Sequence, residues 1–311
     1  MKVLVTGGAG QDGFYMCEYL VQRGYEVISI DIEYDEKLKS LGIDHFILNI
    51  SDVQSLNEFL KTVKPNEIYN FGGNSDNLKA FDKPLDLLYA NTIPIITMLD
   101  YIKNYNNTCK LFQASSSLIF GEEHELYQFQ TLNTLKNPTT PYGCSKLYAY
   151  NIINTYRKYY NIFAINGILY NHESIRRKDH FIIPKIVKGA INIKRGIQST
   201  LEIGNIKYER NWIHAKDVVD AAYKALNYNK AKDWIICGDS LEYVEYVLDY
   251  VFKKLNLDYH KYIKTNDKYN NIKQENNYLG DNKETKELLK WNITYSLENI
   301  LDELIQYYYG I

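Results

Sequence analysis

Apolar and polar residues follow two alternating rhythms along the first half of this 311-residue chain. Lys2–Thr6 (KVLVT) is a short apolar run that ends in glycines, the pattern of a strand buried on both faces. Gln11–Arg23 then carries Phe14, Met16, Cys17, Leu20 and Val21 at helical spacing, with Gly24 set to end the helix. Glu26–Asp31 and His45–Asn49 read as the next strands. Ser51 or Asp52 can cap a helix bearing Leu56, Phe59, Leu60 and Val63, halted before Pro65. Glu67–Phe71, Lys110–Ser115 and Ile162–Leu169 supply three more strands, with long helices around 85–105 and 142–160 between them. Strand, glycine turn, helix and strand in repetition imply right-handed crossovers and a parallel sheet covered on both faces. The predicted class is therefore α/β, with a doubly wound parallel sheet.

After about residue 170 the rhythm loosens. Helices near 181–194, 216–227, 240–256, 283–290 and 297–308 alternate with short strands at 200–203 and 234–237. This predicts a nucleotide-binding domain over 1–170 and, over 171–311, a smaller, interleaved and mainly substrate-binding lobe whose late elements return to the main sheet.

Thr6–Gly13 reads T-G-G-A-G-Q-D-G and follows a strand while opening a helix. That context turns a weak glycine triplet into a phosphate cradle. Gly7 permits the tight turn, Gly10 lets a pyrophosphate approach the backbone, and Gly13 lets helix and strand pack closely. The amides of residues 10–13, which include Gln11 and Asp12, then face the phosphates together with the helix dipole. Asp31 ends the second strand 18 residues past Gly13. A strand-end Asp is often only a turn former, but this spacing suits a carboxylate that binds both ribose hydroxyls and repels a 2′-phosphate. No Arg follows it in Ile32-Glu33-Tyr34-Asp35, so NAD is expected rather than NADP.

Tyr142 and Lys146 stand four residues apart at the start of a helical segment, hence on one face. A neighbouring ammonium favours the phenolate and makes the tyrosine a usable base near neutrality. Ser116, within the Ser115–Ser117 triplet at a strand end, can share the substrate hydroxyl's proton with Tyr142.

Composition narrows the class further. Thirty-six Lys+Arg against 38 Asp+Glu leave a net charge of −2, so no basic field calls for nucleic acid or an anionic membrane. The 30 tyrosines are scattered among Asn, Lys and Ile, which reads as compositional bias rather than a stacking platform for bases. No apolar run approaches a membrane span or a signal peptide. Cys17, Cys109, Cys144 and Cys237 form no CxxC pair or metal spacing. Although four cysteines allow three pairings, a chain of this size needs no staples, so a reduced cytoplasm and no metal are expected.

Beyond these readings, the chain resembles the extended short-chain dehydrogenase/reductase family, and within it the GDP-mannose 4,6-dehydratase branch. The resemblance runs to about residue 220 and resumes at Leu279-Gly-Asp281. It rests on G-G-A-G-Q-D-G (7–13), E-I-Y-N-F-G-G-N-S (67–75), Q-A-S-S-S (113–117), Y-G-C-S-K-L-Y-A-Y (142–150), N-G-I-L-Y-N-H-E-S-I-R-R (166–177) and G-N-I-K-Y-E-R-N-W-I-H-A-K-D (204–217). It implies a Rossmann-like fold with Ser116, Tyr142 and Lys146 catalytic, and Tyr142 and Lys146 also touching cofactor. It implies that Asn49 and Ile50 flank the adenine, that Phe71, Gly72 and Gly73 line the cofactor groove, and that His172 and Arg177 lie near the nicotinamide half. Ser75, Ser116, Asn171, Lys185 and Arg210 would hold a GDP-sugar, Arg210 through its forked donors on the diphosphate. By themselves, Lys185 and Arg210 would read as surface charges.

The sequence departs from that branch where it matters for chemistry. The family's Thr/Ser-x-Glu is here Ser116-Ser117-Leu118. The missing Glu is the shuttle that takes the C5 proton so that the C6 hydroxyl can leave, and Leu118 has no proton to exchange. Glu122 and Glu123 follow in a predicted loop and are poorly placed to substitute. The family's Arg-Pro-x-Glu segment is replaced by Asn271-Ile-Lys-Gln274, and the basic insertion after the second strand of NADP-using relatives is absent. The expected activity is NAD-dependent oxidation of the C4 hydroxyl of a GDP-sugar, GDP-mannose-like or GDP-heptose, in surface polysaccharide precursor synthesis. This resembles the GDP-manno-heptose 4-dehydrogenases. A 4-epimerase, a 4,6-dehydratase with a relocated base, and a redox-sensing binding protein are the alternatives, in that order. The family's commoner arrangement implies a homodimer through the two long helices.

Overall fold

The computed structural model describes residues 1–75, 81–121, 129–265 and 279–310. The first half runs β1 (Lys2–Thr6), α1 (Gln11–Val21), β2 (Glu26–Asp31), α2 (Glu36–Ser40), β3 (Asp44–Ile47), α3 (Val53–Val63), β4 (Glu67–Asn70), α4 (Pro84–Tyr105), β5 (Lys110–Ser116), α5 (Pro141–Tyr160) and β6 (Ala164–Leu169). The second half adds β7 (His172–Glu173), α6 (Ile182–Lys194), β8 (Leu201–Ile203), β9 (Glu209–Arg210), β10 (Ile213–His214) and α7 (Ala215–Leu226). It continues through β11 (Trp234–Ile236), β12 (Glu242–Tyr243), α8 (Val244–Lys254), β13 (Ile263–Thr265), α9 (Lys283–Leu289) and α10 (Leu297–Tyr309).

Seven strands form one sheet in the order β11-β6-β5-β4-β1-β2-β3, and each of its pairings is parallel. Chain direction across the sheet reverses between β1 and β4, the switch point where doubly wound sheets open a crevice beyond their strand ends. Side chains of α1 and α7, including Phe14, Met16, Leu20, Val218 and Ala222, bury one face. Leu56 and Leu60 of α3, Ile95 and Met98 of α4 and Ile153 of α5 bury the other. A further core of Ile183, Val187, Leu248, Phe252, Leu301 and Leu304 holds α6, α8 and α10 together.

Local signals set many of the boundaries. Asp52, rather than Ser51, caps α3 by accepting from the Ser55 amide at 3.1 Å. Lys64 at φ 50° then stops the helix before Pro65. The strand expected at His45–Asn49 is the sheet edge Asp44–Ile47, and its apolar residues are not core: Phe46 is 46% and Ile47 58% exposed. The helix expected from 240 begins at Val244, because Glu242–Tyr243 pair antiparallel with Glu209–Arg210 instead. Two- and three-residue strands such as β7, β9, β10, β12 and β13 are too short to leave a period in the sequence. No described helix is long and apolar enough to cross a membrane. The described cysteines are free, with Cys17, Cys109 and Cys237 buried.

Candidate active site

A cavity of about 1370 Å³ opens at the switch point, beyond the carboxyl ends of the strands. Its floor is tied by a buried polar chain: Thr6 Oγ1 donates to Asn70 Oδ1 at 2.5 Å, and Asn70 Nδ2 donates to Gln113 Oε1 at 2.6 Å. These bonds join the ends of β1, β4 and β5, so the loops that follow start from one fixed plane.

At one end, Gly7 turns at φ +71° and α1 starts at Gln11. A Cβ on Gly13 would lie 2.0 Å from the Gly7 carbonyl oxygen, so the helix approaches the loop at a distance only glycine permits. Asp31 accepts from the Ala9 amide at 3.0 Å and from the Ile32 amide at 2.7 Å. Oδ1 also accepts from the Glu33 amide at 3.2 Å, whereas Oδ2 has Ala9 alone and keeps a further lone pair for a ligand. Ile50 and Gly72 pack at the same end, and Asn49, Phe71, Gly73 and Ser75 also line the cavity. A cation absent from the local sequence arrives here from far along the chain. Arg176 pairs with Asp35, donates to the Ala9 carbonyl at 3.2 Å and lies 3.7 Å over the Phe14 ring.

The middle of the cavity carries Ser116, Tyr142 and Lys146. Thr140 caps α5 on the Gly143 amide at 3.0 Å with Pro141 in the first turn, so the helix starts directly beneath Tyr142. A Cβ on Gly143 would meet the Leu118 carbonyl oxygen at 2.5 Å, and that glycine lets α5 close on the turn after β5. Ser116 Oγ accepts from the Leu118 amide at 3.2 Å, which fixes the hydroxyl at the cavity edge. Lys146 Nζ donates to the Ala114 carbonyl at 2.9 Å and stands 5.7 Å from the Tyr142 ring centre. Burial pulls the Lys146 pKa down to about 8, against the opposing charge of Asp12. Leu118 is half-buried, packs against Leu87 and Tyr142 in a small apolar cluster, and presents an apolar surface to the cavity beside Ser116. Glu122 and Glu123 lie outside the described residues, as does Asn271–Gln274.

Behind the glycine loop sits a buried charge pair. His172 Nδ1 faces the Tyr170 carbonyl at 2.7 Å and Nε2 faces Asp12 at 2.9 Å. With an acceptor at each nitrogen, the ring is an imidazolium. Burial opposes that charge, but Asp12 outweighs it and holds the His172 pKa above the usual histidine range. The Asp12 carboxyl, raised by burial but lowered further by His172, lies below its usual range. Gln11 spends its amide on the same segment, donating to the His172 carbonyl at 3.2 Å and accepting from Ser174 at 2.8 Å. The Gln11 and Asp12 side chains therefore lock β7 to α1; the loop amides of Gly7–Gly10 are spent on Ile30, Asp31 and Gly7, so a phosphate would meet the first-turn amides of α1 from Gln11 to Gly13. Arg177 lies 3.7 Å from Glu173 and 3.6 Å over the Phe181 ring.

At the far end Asn171, Lys185 and Arg210 converge on the cavity from the loop after β6, from α6 and from β9. Arg210 also donates to the Glu209 carbonyl at 2.8 Å. Every site residue named from the sequence thus lines one cavity. Sequence reasoning missed Arg176 and Asn91. Asn91 of α4 donates to Ser145 at 3.0 Å and to the Asn74 carbonyl at 3.1 Å, joining α4, α5 and the loop after β4. An asparagine on the otherwise apolar stripe of Leu87 and Ile95 was its legible signal.

A family model described as GDP-mannose 4,6 dehydratase matches residues 4–304. GDP-mannose 4,6 dehydratase 2 of Arabidopsis thaliana is 30% identical over 321 residues, which cover 97% of this chain and 85% of the plant protein. The GDP-mannose 4,6-dehydratase of Vibrio cholerae is 34% identical over 272 residues, 82% of this chain and 72% of that protein. Among solved structures, UDP-glucose 4-epimerase of Thermotoga maritima with UDP-glucose superposes with a TM-score of 0.89 at 18% identity, covering 100% of this chain and 99% of that one. The dTDP-glucose 4,6-dehydratase of Bacillus anthracis in complex with NAD gives 0.86 at 23% identity, with 100% and 97% covered. At these identities the structural likeness speaks for the fold.

Proposed function

The chain belongs to the GDP-mannose 4,6-dehydratase family, and on that premise we propose that it is an NAD-dependent dehydrogenase that oxidises the C4 hydroxyl of a GDP-sugar and stops at the 4-ketone. The observation that carries this reading is Leu118, packed against Leu87 and Tyr142 at the cavity wall, at the position where the resemblance implies a proton-transferring glutamate.

The cofactor end suits NAD. Asp31 offers a carboxylate to the ribose hydroxyls, Gly13 brings the helix N-terminus onto the loop, and Arg176 is neutralised by Asp35. When bound, NAD supplies the acceptor for a hydride from the carbon that bears the substrate hydroxyl. Tyr142, as phenolate, takes the hydroxyl proton while Ser116 Oγ holds the same oxygen. The Lys146 ammonium beside Tyr142 favours that phenolate. Asn171, Lys185 and Arg210 form the grip for the substrate's nucleotide, and Arg210 presents a planar fork to the diphosphate. Leu118 leaves the C5 proton without an acceptor at the expected position and offers no hydrogen bond to hold a bridging water, so elimination does not follow oxidation.

A GDP-mannose-like or GDP-heptose substrate, feeding a surface polysaccharide precursor, fits the family and the rebuilt grip. Exposed Leu85, Leu88 and Tyr89 on α4 and Tyr148 on α5 support a homodimer through these two helices. A reducing cytoplasm suits the free cysteines.

The decisive experiment is product identification by mass and NMR from a panel of GDP-sugars in deuterated water. The expected product is two mass units lighter than substrate and keeps its C6 hydroxyl, whereas elimination would leave a C6 methyl and solvent deuterium at C5. It should accumulate to about one equivalent unless excess NAD or an added 2-keto acid restores the cofactor. A product lighter by one water would overturn the reading in favour of a relocated base, and one of unchanged mass with inverted C4 would make the enzyme an epimerase.

A further inference from the structure

Gln130 lines the cavity and is only 3% exposed. Its backbone is clamped on both sides: its amide donates to the Leu279 carbonyl at 2.9 Å, and its carbonyl accepts from the Asp281 amide at 2.9 Å. The Tyr170 hydroxyl lies 2.5 Å from Gln130 Oε1. Burial pushes the Tyr170 pKa well above the usual tyrosine value, so the phenol keeps its proton. That proton has no other partner among the described residues, so it goes to Oε1 and fixes which end of the amide is oxygen. Nε2 is therefore the free end, and among the described residues it has no hydrogen-bond partner. A buried, oriented amide with two unspent donors at a cavity wall is built for an acceptor that arrives with a ligand.

The fold also says which part of the ligand meets it. Ser116 and Leu169 are register partners on β5 and β6, so Tyr170 follows directly across from the turn that carries Leu118. Tyr170 packs with Ile119 and Phe120 of that turn, and Leu132 joins the same cluster. Gln130 thus stands past the end of β5, beside the Ile119–Phe120 face of the turn that carries Leu118. On the proposed reading, C4 lies at Ser116 and Tyr142, and C5 with its exocyclic arm lies over that turn.

We propose that Gln130 Nε2 donates to a hydroxyl oxygen on the exocyclic arm of the substrate sugar and selects for sugars that carry it. This rests on the assignment of a nucleotide sugar with C4 at Ser116 and Tyr142. The test is calorimetric titration of the NADH-loaded enzyme with GDP-mannose against GDP-6-deoxymannose, and with UDP-glucose against UDP-6-deoxyglucose. In the pair that binds, the wild type should favour the hydroxylated sugar by tenfold or more. Gln130→Leu should weaken that sugar by about 10- to 100-fold and the deoxy sugar by less than about threefold, the pattern of a lost specific donor. Tyr170→Phe, which frees the amide to rotate, should give a smaller loss of the same selectivity, and it carries the test if Gln130→Leu fails to fold. Equal weakening of both sugars, or none, overturns the role of Gln130. Binding of the UDP pair alone overturns the GDP assignment while the Gln130 comparison still runs, and binding of neither pair overturns both.

Discussion

The two ends of the cavity are made of different material. The end proposed for the cofactor is mostly backbone: a glycine loop at Gly7–Gly13, a helix N-terminus and one carboxylate at a strand end, drawn from the first 31 residues. The end proposed for the substrate is side chains from dispersed elements: Asn171 after β6, Lys185 on α6 and Arg210 on a two-residue strand. Backbone recognition needs a contiguous motif, because adjacent amides must point the same way. Side-chain recognition needs only that distant residues meet. The catalytic wall between them mixes both, with Tyr142 and Lys146 on one helical face and Ser116 on a neighbouring strand end.

Four perturbations test that contrast. The largest effect is expected at the shared wall: Tyr142→Phe should lower turnover by roughly 10²–10⁴, the usual contribution of a general base, while GDP-sugar binding survives. Steady-state rates paired with calorimetry check this, and near-normal turnover would move the hydride site elsewhere. Next comes the backbone-built end. Asp31→Ala should weaken NAD binding by about 1–3 kcal/mol, the scale of hydrogen bonds to a charged group. Gly13→Ala should cost more, since its Cβ would meet backbone rather than a movable side chain. Fluorescence titration with NADH ranks the two, and equal wild-type affinity for NADP would remove Asp31 from the argument. At the side-chain end, Arg210→Ala should raise KM by about tenfold, with kcat less affected. GDP should compete better than UDP or dTDP, and the reverse order in an inhibition series would discard the GDP assignment.

The smallest effect concerns pH. Burial sets the Lys146 pKa at about 8, so the amine is charged below that pH and neutral above it. Electrostatic support for the Tyr142 phenolate is therefore present below about pH 8 and fades as pH rises through it. A pH profile of kcat/KM should bend downward near 8 by a few-fold, and Lys146→Arg, which stays charged, should abolish the bend. A profile that rises without a bend through pH 9 would contradict this account.

Much of the first half was legible because its elements are long and periodic. β1, β2, α3, α4 and α5 appear within a few residues of their apolar patterns, and Asp52 and Pro65 bracket α3 as their chemistry requires. Legibility failed where pairing replaced periodicity. β3 is an edge strand whose exposed Phe46 and Ile47 imitate a buried run. β7, β9, β10, β12 and β13 exist only because a partner strand lies alongside.

By itself the sequence carried the family and the residues on which the proposed chemistry rests. A glycine turn, a strand-end Asp31, a Tyr142–Lys146 pair and a leucine at 118 are local patterns whose meaning depends on neighbours a few residues away. Tertiary structure alone decided how those groups are supported. It brought Arg176 to Asp35 across the chain, made an imidazolium of His172 by setting Asp12 against it, and aligned Gln130 through Tyr170. Each of these depends on two buried or half-buried polar groups finding one another over long separations. Burial removes much of their water, so the partner that packing provides fixes the charge or orientation, which one-dimensional spacing does not encode.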